Sequence, residues 1–444
     1  MQRTLTFVLL FLVLTAEVKG EIFDGKWETP LTWIGTFLFT PSAIKLPIFD
    51  VLVLLLFGWA MASKASHKNR AAPLVRALWA SLGAIAVIWV WGVATGGVIQ
   101  QTLWQLHTFV MMYVVAFLMM GAVRTPAHFE TLGKVVVAAA LYRSFILFVF
   151  WFAVVRATMQ FRPATLTTHH DSALFVSGIV VLGAWAVERR SQRAILTAFF
   201  AGSFIALAIA YNNRRLAWVS LLGAVVVAYA LLPHGKLKRR INLGMMIAAP
   251  ILALYIAIGW DSPRAFFKPV ASLASMLSKT DSSSATRDIE NYNLILTLKS
   301  NPALGRGFGH EYDEVSVAYS IKEFFEQYRY IPHNSVLGLV AFTGLFGFAG
   351  IWTMLPVAAF LLARAHRAAK TPLERTIALV GIAEIVVFMN QLYGDMGMVS
   401  MTATWLMAGS LAAAGRMAVW TGAWPVKAVR GSAGTPTAAT PPTP

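Results

Sequence analysis

Apolar runs about as long as a membrane crossing recur from residue 4 to residue 417, separated by short basic clusters. One long polar stretch, 260–332, interrupts them. A helix needs about 20 apolar residues to cross the hydrocarbon of a bilayer, and backbone groups there must find partners within the chain, so the runs read as transmembrane helices. Composition agrees: of 444 residues 57% are hydrophobic and 13% charged, far more apolar side chain than a soluble core needs. The fold class expected is all-α, a polytopic integral membrane protein of about twelve transmembrane helices with a large helical loop.

The expected spans are 4–14, 46–62, 77–95, 103–122, 135–155, 172–187, 194–211, 216–232, 241–259, 334–363, 376–393 and 398–417. They divide the chain into a first membrane block (1–259), the loop (260–332), a second membrane block (333–430) and a Pro, Thr and Ala-rich tail (431–444) that reads as disordered. The first span has the basic start and short apolar core of a signal peptide, but no A-x-A site follows it, and an uncleaved helix is the reading adopted.

A net charge of +17 would suit a nucleic-acid partner, but its placement argues otherwise. More than half of the 37 Lys and Arg residues sit in dense clusters in alternate connections, on one side of the expected spans. The positive-inside rule makes that side cytoplasmic. An even number of spans then puts both termini in the cytoplasm and the long loop on the opposite side, which in a bacterium is the periplasmic face of the inner membrane. Membrane lipid is the implied partner and nucleic acid is not. The chain has no cysteine, which excludes disulfides, thiol nucleophiles and thiolate metal sites.

The arginines on the loop side lack this topological reason: Arg143, Arg156, Arg162, Arg214, Arg215, Arg264, Arg287, Arg306 and Arg329. A guanidinium left in hydrocarbon costs roughly 2.5 kcal/mol or more, so their gathering suggests an anionic ligand, with snorkelling to headgroups the alternative for any one of them. Arg214 and Arg215 share a four-residue connection with Asn212 and Asn213, crowded between two spans. Arg287 sits at the start of an expected loop helix that Asn301 and Pro302 stop, and its planar fork of donors suits a diphosphate, or a surface pair with Asp288 or Glu290. A second helix is expected over 311–328.

His333 stands between Pro332 and Asn334 at the mouth of a long span. The helix dipole there disfavours an imidazolium and keeps the ring able to accept a proton, although an interfacial histidine that merely caps a helix has the same sequence pattern. Other chemistries fare worse. The run Gly305, Gly307, Gly309 lacks the preceding strand and the spacing of a nucleotide fingerprint. No D-x-D occurs, and His169-His170-Asp171 or the acidic cluster after His310 would need further partners to hold a metal. No G-x-S-x-G motif marks a serine hydrolase.

The loop and the span after it nevertheless resemble a known region. Asn301-Pro302-Ala303-Leu304-Gly305-Arg306-Gly307-Phe308-Gly309, followed by His333-Asn334-Ser335-Val336-Leu337 through Gly344 and Gly347, resembles the shared segment of the O-antigen ligase and O-antigen polymerase superfamily. The resemblance implies a metal-independent glycosyltransferase without cofactor, working on the periplasmic face with a glycan on undecaprenyl diphosphate as donor. The acceptor would be a sugar hydroxyl of lipid A-core in a ligase, or a second lipid-linked glycan in a polymerase. It implies His333 as the base and Arg287 with Arg215 as the groups that receive the leaving diphosphate. Arg214, Arg306 and Asn334 are the expected helpers in binding. A transporter or flippase of a lipid-linked glycan also suits the span number, but the two halves of the chain show no internal symmetry.

Overall fold

The computed structural model describes residues 1–19, 27–41, 46–63, 69–159, 163, 165–232, 234–262, 264, 267, 270, 274, 282–317, 322 and 326–425. Its principal helices are α1 (Gln2–Thr15), α2 (Thr32–Phe39), α3 (Ile48–Ala62), α4 (Ala72–Ala94), α5 (Ile99–Ala122), α6 (Pro126–Phe150), α7 (His169–Arg189) and α8 (Gln192–Asn212). There follow α9 (Arg215–Leu231), α10 (Lys236–Gly259), α11 (Ser282–Ser300), α12 (Ser335–Trp352), α13 (Met354–Ala368), α14 (Pro372–Gly394) and α15 (Met401–Trp420). The chain is an all-α polytopic membrane protein: among the described residues 8 helical segments are long and apolar enough to cross a membrane, and α1, α3 and α9 are apolar but shorter. The expected tail at 431–444 lies outside the described residues.

α15 falls below the hydropathy of the others because protein, not lipid, surrounds it. Every residue from Thr402 to Ala418 is buried against α5, α7, α13 and α14. Its small side chains, among them Ala408, Gly409, Ser410 and Ala412 to Gly415, let neighbouring backbones approach closely. Arg416 is tolerated there because its guanidinium donates to the carbonyls of Met120 and Asn69. α10 is the opposite case. Its apolar window is fully exposed, with Met246, Ile247 and Ile251 all more than half accessible, and lipid is its natural surrounding.

The glycine run holds a broken helix together. α12 leaves helical geometry at Gly344 (φ 60, ψ −173). An intact helix would bond the Leu345 and Phe346 amides to the Ala341 and Phe342 carbonyls. Here those amides donate instead to the carbonyls of Pro302 (2.9 Å) and Ala303 (3.2 Å), and the freed carbonyls accept from the amides of Arg306 (3.0 Å) and Gly307 (2.8 Å). The loop backbone thus replaces the missing turn, which is how irregular backbone survives at membrane depth. Closeness demands glycine: a Cβ on Gly344 would lie 2.3 Å from the Ala303 carbonyl oxygen, and one on Gly305 (φ +68) 2.4 Å from the Gly344 nitrogen. Beyond the break, the Phe308 backbone presses on Gly92 of α4, and Gly309 accepts from Val98 (2.9 Å) and donates to Gln105 of α5 (2.7 Å). Gly344→Val should therefore remove the docked loop and cost about 3 kcal/mol or more. A purified variant whose melting temperature matches the parent would contradict this arrangement.

The second helix expected over 311–328 does not form where the structure describes it: 311–317 carry no helix and 326–330 are turns, while 318–321 and 323–325 lie outside the described residues. Tertiary bonds override the local pattern. The Asn293 side chain of α11 accepts from the amides of Val315 (3.1 Å) and Ser316 (3.0 Å) and donates to the Ser316 carbonyl. Thr297 accepts from the Asp313 amide at 2.8 Å. Arg329 closes the loop by donating twice to the Tyr312 carbonyl and pairing with Glu311 at 2.8 Å.

Candidate active site

His333 is set by the two helices it lies between. Asn334 caps α12, its side-chain oxygen accepting from the Leu337 amide (3.1 Å), and its amide nitrogen reaches across to Asn291 of α11 (3.1 Å). This holds the N-terminus of α12 against α11. Glu290, the residue before Asn291 on α11, takes the His333 backbone N–H on one carboxylate oxygen (3.1 Å) and meets Nδ1 with the other (3.3 Å). An ionised carboxylate can only accept, so the ring proton belongs on Nδ1 and the Nε2 lone pair is left available. The imidazole is about a third exposed and the carboxylate nearly buried, so one side of the ring is fixed and the other open.

A second group of side chains converges nearby. Asn212 ends α8, and its side-chain oxygen accepts from the amides of Leu166 (3.1 Å) and Thr167 (2.8 Å). Asn213 then turns the chain through the left-handed region (φ 58), a conformation asparagine accepts readily. The chain leaves the turn with Arg214 extended and half-buried, and Arg215 opens α9. The Arg214 guanidinium donates to His169 Nε2 and to the Thr167 carbonyl (3.0 Å). His169 Nδ1 faces Asp395 Oδ2 at 3.4 Å. Asp395, held by Gln391 (3.0 Å), accepts on its own carbonyl from Ser335 at the start of α12 (3.3 Å).

Arg287 joins the two groups. It lies one turn before Glu290 on α11, and its charge reaches Arg214: burial lowers the Arg214 pKa from its ordinary value, Asp395 and Asp171 raise it, and Arg287 lowers it again. Two guanidinium groups thus share a partly buried region whose carboxylates, Asp395 and Glu290, are already engaged with histidines. Such a region attracts an anion. Among the described residues, no group of three or more His or acidic side chains is arranged to hold a metal ion.

The remaining arginines divide differently. Arg143, inside α6, is buried against Asp171, which it grips with Nε (2.8 Å) and Nη2 (2.7 Å), and against Glu17. Internal carboxylates thereby answer its charge. Arg306 projects from the docked loop and pairs with Asp313 at 3.3 Å. Its charge acts on His310, whose imidazole burial pushes below its usual pKa, the Gly92 carbonyl raises, and Arg306 lowers further. Of the expected residues, hydrogen bonds tie His333 and Asn334 to α11 and Arg214 to His169, with Arg215 next in the chain and Arg287 one turn before Glu290, while Arg306 pairs with Asp313. Arg162 lies outside the described residues.

Residues 200–352 match the family model described as O-antigen ligase. The match spans about a third of the chain and supports a member of the O-antigen ligase and polymerase superfamily. No curated protein matches the chain. The matched region runs from α8 to the end of α12 and carries Arg214, Arg215, Arg287, Glu290, the docked glycines and His333. The match supports an enzyme in general, and the matched family implies lipid-linked glycans in general as substrates.

Three residues of this candidate site are not among those the sequence singles out. In sequence Glu290 stands out only as a possible surface partner of Arg287, His169 only as an incomplete metal ligand, and Asp395 not at all. His169 and Asp395 lie outside the matched region, on α7 and in the connection after α14. A signal existed for both. Each is an ionisable residue at the end of an apolar span, on the side of the membrane where the long loop emerges.

Proposed function

We propose that the chain is an O-antigen ligase, an inverting glycosyltransferase that moves a glycan from undecaprenyl diphosphate to a sugar hydroxyl of lipid A-core. The reaction takes place at the periplasmic face of the inner membrane, with both termini cytoplasmic. The observation that carries the reading is the fixed imidazole of His333, oriented by Glu290 and standing beside the region shared by Arg287 and Arg214. His333 Nε2 takes the proton of the acceptor hydroxyl as its oxygen attacks the anomeric carbon from the face opposite the diphosphate. The new C–O bond forms while the bond to the diphosphate breaks, and the leaving group departs with the electron pair. Arg287, Arg214 and Arg215 receive its charge. The diphosphate leaves ionised and needs no proton, so guanidinium groups suffice in place of a divalent ion. Arg306 is assigned no part at the diphosphate, since Asp313 engages it. Asn334 acts by fixing the start of α12.

An O-antigen polymerase would use the same donor chemistry and differ in acceptor. Purified protein given a lipid-linked glycan donor with either lipid A-core or a second lipid-linked glycan separates the two. Product on lipid A-core, formed equally in the presence of a chelator, is expected. Transfer only to the lipid-linked acceptor would make the enzyme a polymerase, and activity lost to chelator and restored by magnesium would refute the arginine-only leaving-group site.

A further inference from the structure

His169 and Asp395 lie on elements outside the matched region, yet they end on Arg214. Arginine has donors only, so the contact between its guanidinium and His169 Nε2 requires that Nε2 be unprotonated. The ring proton of the neutral imidazole then sits on Nδ1, which approaches Asp395 Oδ2 to 3.4 Å without a hydrogen bond between them. The order of the groups is carboxylate, imidazole, guanidinium, with the hydrogen bond at the guanidinium end. Asp395 is itself anchored twice, by Gln391 to its side chain and by Ser335 to its carbonyl, and is 6% exposed. Thr167 holds the far side of the guanidinium through its carbonyl. Arg214 Nε, buried and without a hydrogen-bond partner, is a donor left over.

We propose that His169, backed by Asp395, is a positioning residue that aims the Arg214 guanidinium at the diphosphate of the lipid-linked donor. The proposal rests on the transferase reading above and adds to it the device that orients one arginine of the doublet. A guanidinium on a flexible stem loses several rotatable bonds when it binds an anion, and fixing it beforehand removes that cost from the binding step. The Thr167 carbonyl holds one edge of the fork. The imidazole supplies the second fixed point, and unlike a carboxylate it does so without neutralising the charge the ligand needs. The position of His169 at the first residue of α7 matters as well, because α7 packs on α14, the helix that precedes Asp395.

The test uses the full-length protein in lipid nanodiscs, with the donor, the acceptor and inorganic pyrophosphate as a probe of the leaving-group site. His169→Leu keeps bulk and removes the acceptor; His169→Gln keeps an acceptor oxygen at about the reach of Nε2. In His169→Leu the KM for donor and the inhibition constant of pyrophosphate should both rise roughly tenfold, the scale of one lost charge-assisted hydrogen bond. The KM for acceptor should stay within about twofold, a split that general misfolding would not give. His169→Gln should recover most of the donor affinity. Unchanged donor and pyrophosphate constants in His169→Leu would overturn the proposal, as would a His169→Gln protein that is folded yet no better than His169→Leu. Pyrophosphate binding is also read directly, as a thermal shift of the parent protein. A shift that His169→Leu weakens, in a preparation that transfers no glycan, would leave the Arg214 site standing and refute the transferase reading instead.

Discussion

Replacing His333 by alanine should lower glycan transfer by about a hundredfold to ten-thousandfold, the range for loss of a positioned general base, while the protein still inserts and purifies as a single species. Folding should survive because the ring contributes only its Nδ1 contact to the structure. The backbone N–H that bonds Glu290 remains in the variant, and the cap of α12 comes from Asn334. Glu290→Gln sharpens the test. The amide cannot serve as the same acceptor-only partner, so the ring is free to place its proton on Nε2, the wrong nitrogen for a base. Activity should fall by roughly ten to a hundredfold, as for other residues that orient a reacting group. Normal glycan attachment to lipid A-core by His333→Ala would remove the base from the proposed mechanism.

Pro332, His333 and Asn334 marked in sequence the start of a helix with a histidine at its mouth, and the structure has that helix start, capped by Asn334. The partner was beyond reach of sequence: Glu290 is 43 residues away, on a helix whose packing against α12 depends on the whole loop. The glycine run shows the same limit. Its spacing argued against a nucleotide site, but its use as a replacement for a missing turn of α12 becomes visible only when the break at Gly344 is set against the carbonyls of Pro302 and Ala303. Hydropathy located the lipid-facing helices well because lipid is a uniform solvent. Of the helix expected over 311–328, residues 311–317 carry none because side chains of α11, Asn293 and Thr297, capture their amides. Arg214 and Arg215 could not be told apart by position, since both occupy the same short connection. The left-handed turn at Asn213 separates them, giving Arg214 to His169 and making Arg215 the first residue of α9.

Arg287→Ala, Arg214→Ala and Arg215→Ala should each lower transfer by about a hundredfold or more, the effect of removing one donor aimed at developing charge. Arg264→Ala should behave as the parent, since Arg264 is an exposed arginine of the same long loop. The contrast matters because loss of positive charge in general would weaken all four alike. Arg287 stands on α11 and Arg214 at the turn between α8 and α9, so an anion that contacts both bridges the loop to the membrane bundle. Removing either guanidinium therefore weakens donor binding as well as stabilisation of the leaving group. Arg287→Lys distinguishes these contributions. A lysine keeps the charge but loses the planar fork, so it should restore part of the donor affinity and little of the rate if bidentate contact with the departing diphosphate is what the arginine supplies. Full activity of Arg287→Lys would reduce the site to a simple field of positive charge, and equal tolerance of alanine at 214, 215, 264 and 287 would refute a diphosphate site altogether.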